Sequence, residues 1–193
     1  MKIGTKTLLF GSHQFVIHPI LVFIAWVKLY KKLPNFKELI CIIIHDWGYW
    51  GKPNLDGPEG EKHPIWAAMW IAGNTDWSLD YSWLCLYHSR FMAKMDNHPV
   101  SKLCLPDKYG VALAPAWLWV FLGNLTGEIK EYRAQTNYEI SNAGPCQGQY
   151  KSSFEFFRAY KAKCAEWVKT GDLTIRTENT LPGVDTQKKS AHD

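Results

Sequence analysis

The sequence predicts an all-α fold: a compact helical bundle with a Gly/Pro-rich loop near its middle and a long C-terminal helix. Two helical patterns and one interruption predict it. Apolar residues recur densely from His13 to Tyr30, as in a mostly buried helix. From Lys151 to Thr170, Phe154, Phe157, Tyr160, Cys164, Trp167 and Val168 fall on one side of a helix, opposite Lys163, Glu166 and Lys169. Between these patterns lies Gly48 to Gly60, too rich in Gly and Pro for a regular element.

Pro34 stops the first helix because it has no N–H to donate and its ring crowds the preceding turn. Asn35 can cap the next helix, Phe36 to His45, in which Leu39, Ile40, Ile43 and Ile44 supply a buried stripe. The β-branched run Cys41 to Ile44 also fits a short buried strand, although Phe36, Lys37 and Glu38 ahead of it favour helix. After the loop, a helix begins near His63 with Pro64 in its first turn and ends at Gly73 and Asn74. Further helices are expected at about Ser78 to Ala93, Val100 to Tyr109, Pro115 to Leu122 and Gly127 to Ala134. Gly171 ends the C-terminal helix, and Lys161 on its apolar side can pack its stem and extend its head to water. The composition then turns polar, which predicts one domain over residues 1–175 and a mobile tail from Arg176 to the end, residues 176–193.

A chain of 193 residues, 47% hydrophobic, can bury a substantial core but has no room for a second full domain. Its formal charge of +4 suits a phosphorylated ligand and is too small to argue for a nucleic-acid partner. The five cysteines, Cys41, Cys85, Cys104, Cys146 and Cys164, form no C-x-x-C pair, so neither a disulfide framework nor a zinc ribbon is indicated and a reducing cytoplasm is the simplest setting. Leu8 to Phe10 is too short for a signal-peptide core, and Pro19 to Val27 falls short of the roughly 20 apolar residues of a membrane span. Trp50, Trp66, Trp70, Trp77 and Trp83 are dispersed among polar residues, which favours core packing or a lined pocket over membrane contact. No membrane partner is expected, and homo-oligomerisation is left open.

The chemistry-bearing residues are histidines and aspartates on successive helices. His18 lies in one buried helix, His45 with Asp46 ends the next, His63 begins another, His88 sits in a fourth, and Asp107 follows. Imidazole nitrogens with carboxylate oxygens suit first-row divalent cations. His13 competes with His18 for the first place, and His98 with His88.

The order His18, His45-Asp46, His63, His88, Asp107 resembles the HD superfamily of metal-dependent phosphohydrolases over roughly Gly11 to Leu122. Ile-Ile-Ile-His-Asp-Trp-Gly-Tyr is similar to its apolar helix ending in His-Asp, and Leu-Pro-Asp-Lys-Tyr to the segment bearing its final metal-binding Asp. The resemblance implies an HD-type helical bundle in which His18, His45, Asp46 and Asp107 form the basic metal site. It also implies that Asp46 bridges two ions and that His63 and His88 are the additional ligands. One or two divalent ions (Mn, Fe, Zn, Co or Mg) are the implied cofactors.

Such ions lower the pKa of a bound water and neutralise charge on phosphoryl oxygens. Lys52, Arg90, Lys94 and Lys108 are candidates for the remaining charge; each is also the kind of side chain that water solvates. The Gly/Pro-rich segment reads as an active-site loop in which Glu59 or Glu61 acts as general acid or base, or Asp56 binds a ligand hydroxyl; a solvated turn is the plainer reading. Trp47, Tyr49 and Trp50 can stack on a nucleobase or simply pack the loop. No Gly-rich motif opens a helix, so phosphate recognition falls to the metals. The expected activity is hydrolysis of a nucleotide or related phosphoester, as a phosphomonoesterase, nucleoside triphosphohydrolase or phosphodiesterase. A di-iron oxygenase of HD type and a nucleotide-sequestering protein are the alternatives.

Overall fold

The computed structural model describes residues 1–134 and 150–170, and among them every regular element is helical. The expected mobile tail beyond Arg176 lies outside the described residues. In chain order the helices are α1 (Ile3–Phe10), α2 (Ile17–Tyr30), α3 (Phe36–Ile44), α4 (Pro64–Asn74), α5 (Leu79–Leu86), α6 (Arg90–Met95), α7 (Cys104–Leu113) and α8 (Ala116–Thr126). Helical residues 128–134 form α9, and α10 spans Ser153–Thr170. Cys41 to Ile44 is helix, not strand.

Local chemistry sets the ends of these helices. Asn35 accepts from the Glu38 amide (2.9 Å) while Glu38 accepts from the Asn35 amide (2.8 Å), a reciprocal cap that starts α3 where the sequence places it. Pro64 opens α4 at a position with no intrahelical N–H bond to lose. Gly127, at φ +90°, ends α8 in the left-handed region that glycine enters without steric cost.

Four helix expectations are corrected. The helix expected from His13 starts at Ile17, because the Gln14 side chain accepts from the Val16 and Ile17 amides (2.9 and 2.7 Å). The helix expected over Ser78 to Ala93 is two, α5 and α6. Ser89 accepts from the Met92 amide (3.3 Å) to start the second, and the freed Tyr87 carbonyl accepts from Ser101 (2.8 Å). With Ser101 so engaged, α7 begins at Cys104 and not at Val100. On α10, Phe156, Phe157, Cys164 and Trp167 are buried, and Phe154 is exposed. Helix α1 was not foreseen.

A central apolar cluster joins α2 (Val22, Trp26), α3 (Cys41, Ile42, Ile44), α4 (Ala67, Ile71) and α5 (Leu84, Cys85). Burying each large aliphatic side chain there contributes about 1.5–3 kcal/mol. A second cluster binds α8, α9 and α10 through Trp119, Val120, Ile129, Phe156 and Phe157, with Trp119 stacked on Phe157 at 4.3 Å. Lys161 caps the end of α7 by donating to the Ala114 carbonyl (2.9 Å), so its head is used inside the fold.

The Gly/Pro-rich loop opens with a 3-10 turn, Trp47–Tyr49, and is tied down along its length. Glu131 on α9 accepts from the Leu55 and Asp56 amides (2.7 and 2.9 Å), and Asn54 accepts from Gly60 (2.8 Å). Leu55 and Tyr49 pack with Leu8 of α1. The loop is therefore a fixed wall that delivers His63 to the interior.

Candidate metal centre

His18, His45, Asp46, His63, His88 and Asp107 converge from α2, the end of α3, the start of α4, the α5–α6 break and α7, and all six are buried. They form two donor groups sharing Asp46: His18, His45, Asp46 and Asp107, and Asp46, His63 and His88. In the first, His18 Nε2 lies 3.1 Å from Asp46 Oδ2, 3.1 Å from Asp107 Oδ1 and 3.3 Å from His45 Nε2. In the second, Asp46 Oδ1 lies 3.2 Å from His63 Nε2 and 3.5 Å from His88 Nε2, and the two imidazole nitrogens are 3.1 Å apart.

The break between α5 and α6 is what turns His88 inward. Its Nδ1 bonds the Cys85 carbonyl at 2.5 Å; His63 Nδ1 bonds the Gly60 carbonyl and His45 Nδ1 the Ile42 carbonyl, each at 2.8 Å. A carbonyl can only accept, so each Nδ1 carries a proton, and His63 and His88, kept neutral by burial, each present a bare Nε2 lone pair. His63 and His88 thus direct two lone pairs at each other and at a carboxylate oxygen. Three acceptors within hydrogen-bond distance repel unless a cation or proton lies among them. Asp46 Oδ2 adds to this: it is buried and accepts no well-directed hydrogen bond, although His18 Nε2 is only 3.1 Å away. The distance and the missing bond agree if both atoms aim at a common point and not at each other. Ligand atoms about 2.0–2.2 Å from one divalent ion are themselves about 3.0–3.5 Å apart, the range seen here. The residues present therefore fit a metal ion in each group.

Protonation follows the same division. Burial disfavours charge on Asp46, but His45, His18, His63 and His88 outweigh it and hold the carboxyl well below its ordinary range. Burial is likewise overcome at Asp107, by Lys108, His18 and His45. Burial pushes His63 down to about 4 against the pull of Asp46, and lowers His88 too. His18 goes the other way: burial opposes its charge, yet Asp107 and Asp46 raise it to about 9. Ionised carboxylates and neutral imidazoles are the forms that bind metals.

The alternatives at the first and fourth positions resolve. His13 is outside the donor groups, with Nδ1 3.0 Å from Thr7 Oγ1 and 3.5 Å from Glu128 Oε2. His98 stacks on Tyr87 at 3.9 Å and bonds the Pro99 carbonyl. Lys108 donates to Asp107 Oδ2 at 2.7 Å; burial opposes its charge, but Asp107 holds its pKa above the ordinary lysine value. Arg90 packs over the Trp167 ring at 4.2 Å, and both Arg90 and Tyr160 lie close enough to act on the Lys108 charge. Lys52 lends its carbonyl to Gly4, and Lys94 is exposed. Glu59 is exposed and accepts from Asn54 at 2.6 Å, while Glu61 and Asp56 are half-buried and act on Tyr49.

Tyr49 is buried and stacked on His63 at 3.8 Å, so its face fixes a ligand and is not open to a base; Trp47 and Trp50 remain partly exposed. Four supporting residues were not singled out from the sequence: Glu128, Glu131, Trp167 for its hold on Arg90, and Tyr160 for its place near the site. Glu128 is fully buried, accepts from the Ser12 amide (3.0 Å) and from the Ser12 and Thr126 hydroxyls, and pins the turn before α2. The groove lined by Asn124, Ile129, Lys130, Arg133, Ala134 and Ser153 contains none of the six donors.

No family model matches the chain, and no curated protein or solved structure matches it. Helical architecture and buried His/Asp groups able to hold a metal are compatible with an HD-type fold.

Proposed function

We propose that the chain is a divalent-metal-dependent phosphohydrolase of HD type acting on a nucleotide or related phosphoester. One observation carries the reading: the Asp46 carboxylate is shared by two buried donor groups, in one of which two imidazole lone pairs face each other. His18, His45, Asp46 and Asp107 would hold one ion, and Asp46, His63 and His88 a second. Bound ions of this kind acidify a coordinated water and neutralise phosphoryl oxygens.

The chain supplies the rest. Lys108 stays cationic beside Asp107 and fixes that carboxylate. Arg90, oriented by Trp167, adds a second positive charge for anionic substrate oxygens. Glu61, half-buried two residues before His63, is better placed than exposed Glu59 to exchange a proton with substrate. Trp47 and Trp50 offer partly exposed faces for a nucleobase. The cysteines among the described residues are free thiols, which supports a reducing cytoplasmic setting.

Metal-stripped protein reconstituted with Mn, Co, Zn, Mg or Fe is to be screened against nucleoside mono-, di- and triphosphates and cyclic dinucleotides. Metal-dependent phosphate release, abolished in Asp46→Ala, is the expected result. Release under no combination overturns the reading, and iron-dependent oxygen uptake without phosphate release replaces it with the oxygenase.

A further inference from the structure

Exposed apolar side chains are concentrated on helices that carry no acidic residue. On α8, Trp117, Phe121 and Leu125 follow one another at four-residue spacing and are 66%, 61% and 61% exposed. No charged residue lies between Lys108 and Glu128. Along α2 the same spacing gives Val16, just before the helix, then Ile20 and Ile24, all exposed, and continues into exposed Lys28; exposed Lys32 follows the left-handed Lys31 that ends the helix. On α1 it gives Lys2, Lys6 and exposed Phe10. Helix α8 packs against α1, and Leu21 of α2 packs into the α8 cluster, so α8 adjoins both of the other ridge helices.

Charge is segregated in the same way. The first 37 residues contain Lys2, Lys6, Lys28, Lys31, Lys32 and Lys37 and no Asp or Glu, although the whole chain has 18 acidic residues against 22 basic ones. All of the excess positive charge can thus be assigned to the segment that bears α1 and α2. Among the described residues no single helix is long and apolar enough to cross a membrane; α7 and α8 reach that length and apolarity only as a pair bent by 104°.

We propose that the ridges of α1, α2 and α8 form a docking face for an anionic lipid surface. Apolar side chains that enter the headgroup boundary, flanked by lysines that meet anionic headgroups, supply the two signals stable interfacial binding requires. Charge decides against a second copy of the chain. An isologous dimer would bring one lysine-only segment against another, a like-charge juxtaposition. Segments 135–149 and 171–193, outside the described residues, are polar in composition and supply few large apolar side chains to cover such a face. The proposal departs from the sequence expectation of no membrane partner, because hydropathy along the chain does not report which apolar residues are exposed.

The test is sedimentation of the full-length protein with vesicles of phosphatidylcholine alone and of phosphatidylcholine with phosphatidylserine. The protein is expected to pellet with the phosphatidylserine vesicles and to be released as salt rises. The double variant Phe121→Glu, Leu125→Glu, at exposed positions, is expected to stay in the supernatant with unchanged helical circular dichroism. Lys28→Glu with Lys32→Glu is expected to lower the salt concentration that releases the protein. No pelleting, or pelleting unaltered by the double variant, overturns the proposal. A dimer in solution that the double variant dissociates, without vesicle binding, assigns the face to a second copy and also overturns it.

Discussion

The two donor groups that share Asp46 differ in charge. The first joins Asp46 and Asp107 to His18 and His45; the second has one Asp46 oxygen with His63 and His88. Two carboxylates make the first group avid for positive charge, which is why His18 is raised to about 9. In the second, burial dominates and His63 falls to about 4. The same residue type thus reports opposite environments on the two sides of one carboxylate. The first group should take up a cation more tightly than the second, since metal affinity rises with ligand charge.

Removing the shared group has the largest expected effect. Asp46→Ala takes an oxygen from both groups, leaving His63 and His88 with no anion between them and His18 and His45 with Asp107 alone, so bound metal should fall sharply at both by elemental analysis. Retention of either ion would show that the groups do not depend on Asp46. The next largest effect separates the groups: His63→Ala should leave the first ion bound, whereas Asp107→Ala should weaken the first ion most. Metal stoichiometry and stepwise titration of the two variants read this directly, and identical losses in both would end the distinction between a tight and a weak group.

The pH dependence of the metal-free protein sharpens the contrast. His18 has a folded-state pKa of about 9 against an ordinary 6.5, so its contribution is fully present below pH 6.5 and is lost as pH rises through 9. At 1.36 kcal/mol per unit, the loss is on the order of 3 kcal/mol. His63, lowered to about 4, acts in the opposite direction: stability falls as pH drops from 6.5 through 4, because the unfolded chain binds the proton more readily. Chemical denaturation of metal-free protein should therefore show maximal stability near pH 6.5. Stability still rising between pH 7 and 9 would contradict the charge assigned to the first group. Metal binding near neutral pH should displace the His18 proton, visible as a buffer-dependent heat in calorimetry.

A smaller effect is expected at Lys108, which touches the first group only through Asp107. Lys108→Met keeps most of the side-chain volume and removes the cation that fixes the carboxylate. Loss of such an outer partner typically costs about 10–100-fold in metal affinity or activity. Lys108→Arg should recover part of it if charge is what matters. A loss confined to the second ion would place the influence of Lys108 on the wrong group.

The sequence carried the candidate donors better than it carried their support. His45, Asp46 and Asp107 were legible through the resemblance of Ile-Ile-Ile-His-Asp-Trp-Gly-Tyr and Leu-Pro-Asp-Lys-Tyr to HD-type segments. The helix starts at Asn35 and Pro64 were legible because capping is written within four residues. What holds the loop and the turn before α2 was not. Glu131 reaches Leu55 across 76 positions and Glu128 reaches Ser12 across 116, separations at which no local pattern exists. The break that aims His88 contains neither Gly nor Pro, so Ser78 to Ala93 reads as one helix; only Ser89, a capping residue type, hints otherwise. For Tyr49 the sequence leaves nucleobase stacking and loop packing open, because its stacking partner His63 lies across the loop; the structure shows the packing.

The smallest expected effect falls on the loop carboxylates, which stand beside the second group. Glu59 is exposed and accepts from Asn54, whose own oxygen still accepts from Gly60 without it. Glu59→Gln keeps a side chain of the same shape able to bond Asn54, so melting temperature, metal content and turnover should all stay unchanged. Glu61 precedes His63 by two residues, is half-buried, and acts on Tyr49, which stacks on that ligand. Glu61→Gln should leave the first ion untouched and show itself in the pH profile of turnover, where loss of a proton-exchanging group removes one limb. If Glu59→Gln changes the profile and Glu61→Gln does not, the acid-base role belongs to the outer face of the loop, and the second group is approached from the side that the structure leaves to solvent.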